Sequence, residues 1–154
     1  MLILISACGL AAAALCLPMM FRETEQRRLD AVRRMHTRLE AVNCCMDPVD
    51  LYASQMTIGR WERRCDICLA GLTPRTKDSP ISKVHARLWW DGLSYRIAPI
   101  PSRRPNGAVV LPKVWVDMVP VTDPKNGMAV AYEQRITLSN ARFDFVLVDT
   151  SGEF

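Results

Sequence analysis

The sequence predicts an all-β domain, a β-sandwich of antiparallel strands, preceded by an N-terminal transmembrane helix and a juxtamembrane helix. Three observations lead there. Residues 1–20 hold no charged side chain. Residues 21–46 are rich in Arg, Glu, Leu and Ala and hold no Gly or Pro. From Asp47 onward, short apolar or alternating runs are broken repeatedly by Pro, Gly, Asp and Ser. Many short strands at such spacing, with no credible helix among them, indicate a sandwich. The expected organisation is a membrane anchor over 1–20, a basic juxtamembrane helix and linker over 21–46, and a β-domain over 47–154.

The run from Met1 to Met20 is long enough to span a hydrocarbon core as a helix. Pro18 lies near its end, where it costs little. A cleaved secretory signal is the rival reading. It wants a positive n-region, which only the α-amino group supplies here, and a cleavage site that would fall near Ala11 to Ala14. Arg22, Arg27, Arg28, Arg33, Arg34 and Arg38 all follow the run, and no Lys or Arg precedes it. The positive-inside rule then predicts a single-pass protein with its N-terminus outside and the remainder in the cytoplasm.

A helix is predicted over 21–42. Val32, Met35, Leu39 and Val42 fall at 3-4-3 spacing beside Leu29, which draws a narrow apolar stripe, and Glu23 and Arg27 form an i,i+4 pair. The stripe suits a partner helix or the membrane; a solvated stalk is the alternative. Asp47-Pro48 ends the helix, since the residue before a proline avoids helical backbone. Strands are then predicted over 51–52, 56–60, 65–69, 84–90, 93–99, 108–111, 114–119, 129–132, 135–139 and 142–149. Loops are expected over 73–80, 101–106 and 122–127. In the strand over 84–90, Val84, Ala86, Leu88 and Trp90 face one way and His85, Arg87 and Trp89 the other. Asp91-Gly92 predicts a type I′ hairpin, which requires positive φ at both central residues.

The formal charge is +4 over 154 residues. Six Arg face four acidic residues over 21–46, and fourteen Lys and Arg face twelve Asp and Glu from 47 onward. Nucleic-acid domains show a stronger bias gathered on one face, so no nucleic-acid partner is expected. Of six cysteines, Cys8 and Cys16 lie in the apolar run and act as small hydrophobes. Cys65-Asp66-Ile67-Cys68 is a CxxC, but its companion pair, Cys44-Cys45, is adjacent and no His stands at ligand spacing. Two strand cysteines, reduced in a cytoplasmic domain, are the plainer reading. His36 and His85 are the only histidines, and neither has a nucleophile or ligand partner in sequence. No enzymatic activity, cofactor or metal is expected.

Three polar clusters stand at loop or strand-end positions of the β-region: Gly59-Arg60, Ser82-Lys83-Val84-His85 and Asn106-Gly107. Each has an ordinary reading. Arg60 could pair with Asp66 or Glu62, Ser82 could be a turn residue, and Asn106-Gly107 could be only a hairpin turn. In order and spacing, however, the set resembles the signature of the forkhead-associated (FHA) domain: Gly-Arg, then Ser-x-x-His, then Asn-Gly. The surrounding Thr57-Ile58, Asp66-Ile67, Asp91-Gly92, Tyr95-Arg96-Ile97, Ile136-Thr137-Leu138 and Phe143-Asp144-Phe145 agree, so the resemblance covers about 51–149. It implies an FHA-like sandwich that binds phosphothreonine in a partner protein through loops at one end.

The residue chemistry suits that role. A phosphothreonine carries nearly two negative charges and three acceptor oxygens. Arg60 offers a planar fork of donors, Lys83 a point charge, and Ser82 a hydroxyl and a loop N–H. By the resemblance, Asn106 holds the peptide backbone, while Gly59, His85 and Gly107 support the site. Some features depart from the family pattern. Lys83 stands where Arg is common. The segment 102–107 is longer than the usual Ser-x-Asn-Gly, Ala108 replaces a common Thr, and 73–80 is long for the loop before the Ser. Arg63, Arg64, Arg103 and Arg104 offer a basic rim, or solvated surface.

The expected function is a membrane-anchored reader of phosphothreonine on substrates of a Ser/Thr kinase, with envelope growth or division machinery as a partner class by analogy. The alternative is a phosphate-independent FHA-like structural module in a membrane assembly.

Overall fold

The computed structural model describes residues 36–73, 79–139 and 143–152. The anchor expected over 1–20, and the helix expected after it as far as residue 35, lie outside them. Among the described residues no helix is long and apolar enough to cross a membrane. Thirteen strands and one 3-10 turn, Ala70–Leu72, account for the regular structure described.

One sheet has six strands in the order β10-β9-β12-β13-β1-β2. These are β1 (Thr37–Ala41), β2 (Val49–Asp50), β9 (Val114–Val116), β10 (Val119–Pro120), β12 (Arg135–Leu138) and β13 (Phe143–Asp149). The other has five, in the order β11-β6-β5-β3-β4. Its members are β3 (Gln55–Gly59), β4 (Ile67–Cys68), β5 (Ala86–Trp90), β6 (Tyr95–Pro99) and β11 (Met128–Val130). A separate hairpin joins β7 (Ser102–Arg103) to β8 (Val109–Val110).

Strand periodicity builds the core. Successive side chains of a strand point to opposite faces, so Leu39, Ile136, Leu138, Phe145 and Leu147 of the first sheet turn to one side. Met56, Ile58, Leu88, Ile97 and Val130 of the second turn to meet them, and all belong to one buried cluster. Each such side chain contributes about 1.5–3 kcal/mol on burial. The result is a β-sandwich.

Several expectations are corrected. The helix predicted over 21–42 does not reach its end, because 37–41 is strand β1. Its five residues pair antiparallel with β13, from Thr37↔Asp149 to Ala41↔Phe145. Thr37-Arg38-Leu39-Glu40-Ala41 also alternates with period two, and Thr37 and Leu39 are buried while Arg38 and Glu40 are not. The apolar face of β13 selects that period over the helical stripe, so the sandwich begins before residue 47.

The sheets are not wholly antiparallel, since β4 runs parallel to β3 with Ile58↔Ile67 and Gly59↔Cys68. A turn in which the amides of Arg64 and Cys65 donate to the Trp61 carbonyl folds the chain back so that it passes β3 in the same direction. The hairpin at Asp91-Gly92 is not a type I′ turn. Trp90 pairs with Tyr95 across a four-residue loop, and of residues 91–94 only Gly92 has positive φ. The Asp91 carboxylate organises that loop by accepting from the amides of Leu93 and Ser94, both at 2.9 Å.

A two-residue turn with both φ positive occurs instead at Asp117 (45°) and Met118 (68°), between paired Val116 and Val119. It splits the strand predicted over 114–119 into two. The strand expected over 51–52 lies two residues earlier, and the loop expected over 101–106 contains β7.

Candidate functional site

Topology brings the polar clusters to one end of the sandwich. β3 is antiparallel to β5, so Gly59 and Arg60 at the end of β3 meet the segment 82–85 that leads into β5. β5 is antiparallel to β6, with Ala86 opposite Pro99, so the chain leaving β6 for the β7–β8 hairpin emerges at the same end.

The segment 82–85 is fastened to β3 by backbone hydrogen bonds. The amide of Arg60 donates to the Ser82 carbonyl (3.3 Å), that of Trp61 to the Lys83 carbonyl (3.1 Å), and that of His85 to the Ile58 carbonyl (2.8 Å). Gly59 lies directly beneath. A Cβ there would stand 2.5 Å from the Lys83 carbonyl oxygen and 2.8 Å from the Cys65 Sγ, so a side chain would displace the segment above it. The Cys65 thiol donates to the same Lys83 carbonyl at 3.2 Å. Burial pushes its pKa up, which keeps it protonated as a donor.

His85 is 2% exposed and bridges two elements. Its Nδ1 accepts from the Ser82 amide at 3.1 Å, which leaves Nε2 to carry the proton and donate to the Lys113 carbonyl at 3.1 Å. Burial lowers its pKa below 6.5, and the bond to Lys113 opposes that shift. The imidazole is therefore neutral at pH 7 and acts as a brace between the 82–85 segment and the start of β9. One consequence departs from expectation: the Ser82 N–H is spent on His85, so Ser82 brings to a ligand its hydroxyl alone.

Arg60 Nε donates to the Ile81 carbonyl at 3.0 Å. That bond fixes the guanidinium plane and leaves the two Nη groups as donors for a ligand. Asp66 does not pair with Arg60. Its Oδ2 takes the Thr57 amide (2.7 Å) and the Thr57 hydroxyl (2.9 Å). The Lys83 ammonium stands 5.2 Å from the centre of the Trp61 ring, and the Arg64 guanidinium lies 4.8 Å from it.

Arg60, Ser82 and Lys83 line one open groove of about 520 Å³. Arg104, Ser79 and Ser102 line it too, and among the described residues no carboxylate does. Asn106 is not among the lining residues. It sits at the tip of the β7–β8 hairpin, where its Oδ1 accepts from the Ala108 amide at 3.1 Å. The Gly107 amide donates to the Arg104 carbonyl at 2.9 Å, and Gly107 has φ of +82°. Pro105 and Asn106 thus fill the centre of a tight turn closed by a left-handed glycine, a use for which Pro-Asn-Gly is well suited. The structure brings together three of the four predicted binding residues and sets the fourth in its own turn.

Ser79, Ser102 and Trp61 were not singled out from sequence. An aromatic residue next to Arg60, in a stretch as polar as Trp61-Glu62-Arg63-Arg64, is the one signal that pointed to the last of them.

The sequence matches no protein-family model and no curated protein. Solved structures do match. The FHA domain of the CT664 protein from Chlamydia trachomatis superposes with a TM-score of 0.53 at 19% identity, covering 73% of this chain and 96% of that one. The fold is that of an FHA domain. EmbR of Mycobacterium tuberculosis, solved in complex with a low-affinity phosphopeptide, matches with a TM-score of 0.52 at 19% identity over 75% of this chain and 25% of its own. The cytoplasmic domain of PscD, a type III secretion sorting-platform protein from P. aeruginosa, matches with a TM-score of 0.52 at 13% identity, covering 78% and 85% of the two chains. In this FHA fold the groove lies among the segment before β5, the end of β3 and the β7–β8 hairpin.

Proposed function

We propose that this chain is a membrane-anchored phosphothreonine reader, a binding module with no enzymatic role. The observation that carries the reading is the convergence of Arg60, Ser82 and Lys83 on one groove. Such a groove offers a guanidinium fork, a hydroxyl and an ammonium to a dianion with three acceptor oxygens. The 82–85 segment is held by backbone bonds and by His85 before any ligand arrives, so little ordering entropy opposes binding. EmbR, part of which shares this fold, was solved in complex with a low-affinity phosphopeptide, which supports the reading.

The anchor over 1–20, with the domain on the cytoplasmic side, is proposed from the uncharged run and the six arginines that follow it. Confinement to a membrane raises the effective concentration of membrane partners. The partners proposed are substrates of a Ser/Thr kinase, with envelope growth or division machinery as the class.

The test is titration of the full chain in detergent with a phosphothreonine peptide library, beside unphosphorylated twins and Arg60→Ala. Hydrogen bonds to a charged group contribute about 1.5–3 kcal/mol each, so Arg60→Ala is expected to lower affinity at least tenfold. Equal binding of the phosphorylated and plain peptides would sink the proposal.

A second reading, a phosphate-independent structural module, draws on one observation. Asn106, the residue expected to hold the peptide backbone, is engaged within its own turn. An assembly that forms unchanged with Arg60→Ala would favour it.

A further inference from the structure

Phosphothreonine accounts for Arg60, Ser82 and Lys83 but leaves Arg104 without a task. Arg104 lines the same groove. Its backbone is fixed on both sides: its amide donates to the Ala108 carbonyl at 2.9 Å, and its carbonyl accepts from the Gly107 amide at 2.9 Å. The hairpin therefore presents this side chain from a defined position while turning Asn106 into the loop tip. Among the described residues the groove wall carries three cations, Arg60, Lys83 and Arg104, and no acid. A phosphothreonine supplies about −1.5 to −2 charge, less than the charge that these three described side chains carry together. Ser79 lines the groove as well, and its buried Oγ has no hydrogen-bond partner among the described residues.

We infer that Arg104 is a specificity-determining residue that reads a second negative charge on the same peptide, beside the phosphothreonine. The inference rests on the phosphothreonine reading of the groove. The second charge is a carboxylate side chain or a second phosphate; both present paired oxygens matched to a guanidinium fork. Arg104 is exposed, so water screens the pair and the preference it confers is moderate rather than absolute. Arg103, also exposed, pairs in register with Val109 and is not among the groove residues. The preference thus belongs to one position of the hairpin and not to its basic character at large.

The test uses the full chain in detergent and a phosphothreonine peptide with neutral flanks. Aspartate and, separately, phosphoserine are each scanned through the flanking positions on both sides. Dissociation constants are measured for the wild type, Arg104→Gln and Arg104→Lys, with thermal unfolding as the check on folding. The wild type is expected to gain about threefold to tenfold from an acid at one or two positions. Arg104→Gln is expected to lose more on the acidic peptide than on the neutral one by that same factor, a coupling a merely structural role would not produce. Arg104→Lys should keep part of the gain, and the gain should shrink as salt is raised. An equal gain from aspartate and phosphoserine identifies a general anion subsite; a gain from phosphoserine alone identifies a second phosphate.

A flat aspartate and phosphoserine scan in a wild type that still distinguishes phosphothreonine from threonine overturns this inference alone. So does a gain that survives intact in Arg104→Gln. A wild type blind to phosphorylation overturns the phosphothreonine reading, and this inference with it.

Discussion

Burial of His85 couples one wall of the groove to pH. Its folded pKa is held below the ordinary 6.5 by desolvation, against a smaller opposing pull from the Lys113 carbonyl. As pH falls, the unfolded chain takes up this proton before the folded one does. The unfolded state then binds more protons, so the stabilisation is complete above about pH 6.5 and declines below it. Protonation would also convert Nδ1 from an acceptor into a donor facing the Ser82 amide, which breaks the bond that shapes the segment. Urea midpoints should therefore fall between pH 7.5 and pH 5, and His85→Asn, already lacking the imidazole, should show a shallower fall. Parallel pH profiles for the two proteins would refute the assignment. Gly59 acts at the same scale by a different means. Its missing Cβ is what lets the Lys83 carbonyl rest on β3, a packing requirement and not a torsional one.

Among the elements, β1 matters most for where the domain starts. It lies between β13 and β2, pairs with β13 along its whole length, and buries Leu39 fully. Asn43, just beyond it, donates to the buried Asp144 carboxylate at 3.1 Å and accepts from the Asp144 amide at 2.8 Å. A chain begun at residue 47 loses all of this. It exposes the long edge of β13 as a template for association and forfeits about 1.5–3 kcal/mol from Leu39 alone. Fragments 34–154 and 47–154 are expected to differ clearly: the longer one monomeric with a cooperative melt, the shorter one at least 3 kcal/mol less stable or aggregated. Equal denaturation midpoints would show that β1 is dispensable. The β7–β8 hairpin is the element that governs what the groove reads, because it decides that Arg104 and not Asn106 reaches the groove wall.

At the scale of the whole molecule, the proposal is that a sandwich works on the cytoplasmic side of a membrane. Cys45, exposed and unpaired, provides a reporter. In intact cells a membrane-impermeant maleimide should fail to label it and should label it after lysis, with Cys45→Ser as the control. Labelling of Cys45 before lysis would reverse the orientation. The two sheets enclose one continuous cluster, from Leu39 and Phe145 on one side to Met56 and Leu88 on the other. The groove is built at the end of that cluster, so its geometry is carried by the core as well as by its own loops.

Much of this was legible in the chain itself. Alternation in Phe143-Asp144-Phe145-Val146-Leu147 and in Ala86-Arg87-Leu88 located strands without a partner in view, because a half-buried strand must alternate wherever it pairs. The ordered Gly59-Arg60, Ser82-to-His85 and Asn106-Gly107 clusters pointed to a fold whose solved relatives superpose on this one. What sequence could not decide was settled by contacts between distant residues. Thr37 to Ala41 fits a helical stripe and a strand equally well, and β13, about a hundred residues away, selects the strand. The Ser82 amide looks available until His85 folds back onto it. Asn106 and Arg104 lie two residues apart in one polar loop, and only the register of β7 with β8 determines which of them lines the groove. Local pattern specifies which residues alternate and which turn; long-range pairing alone specifies which polar groups remain to meet a ligand.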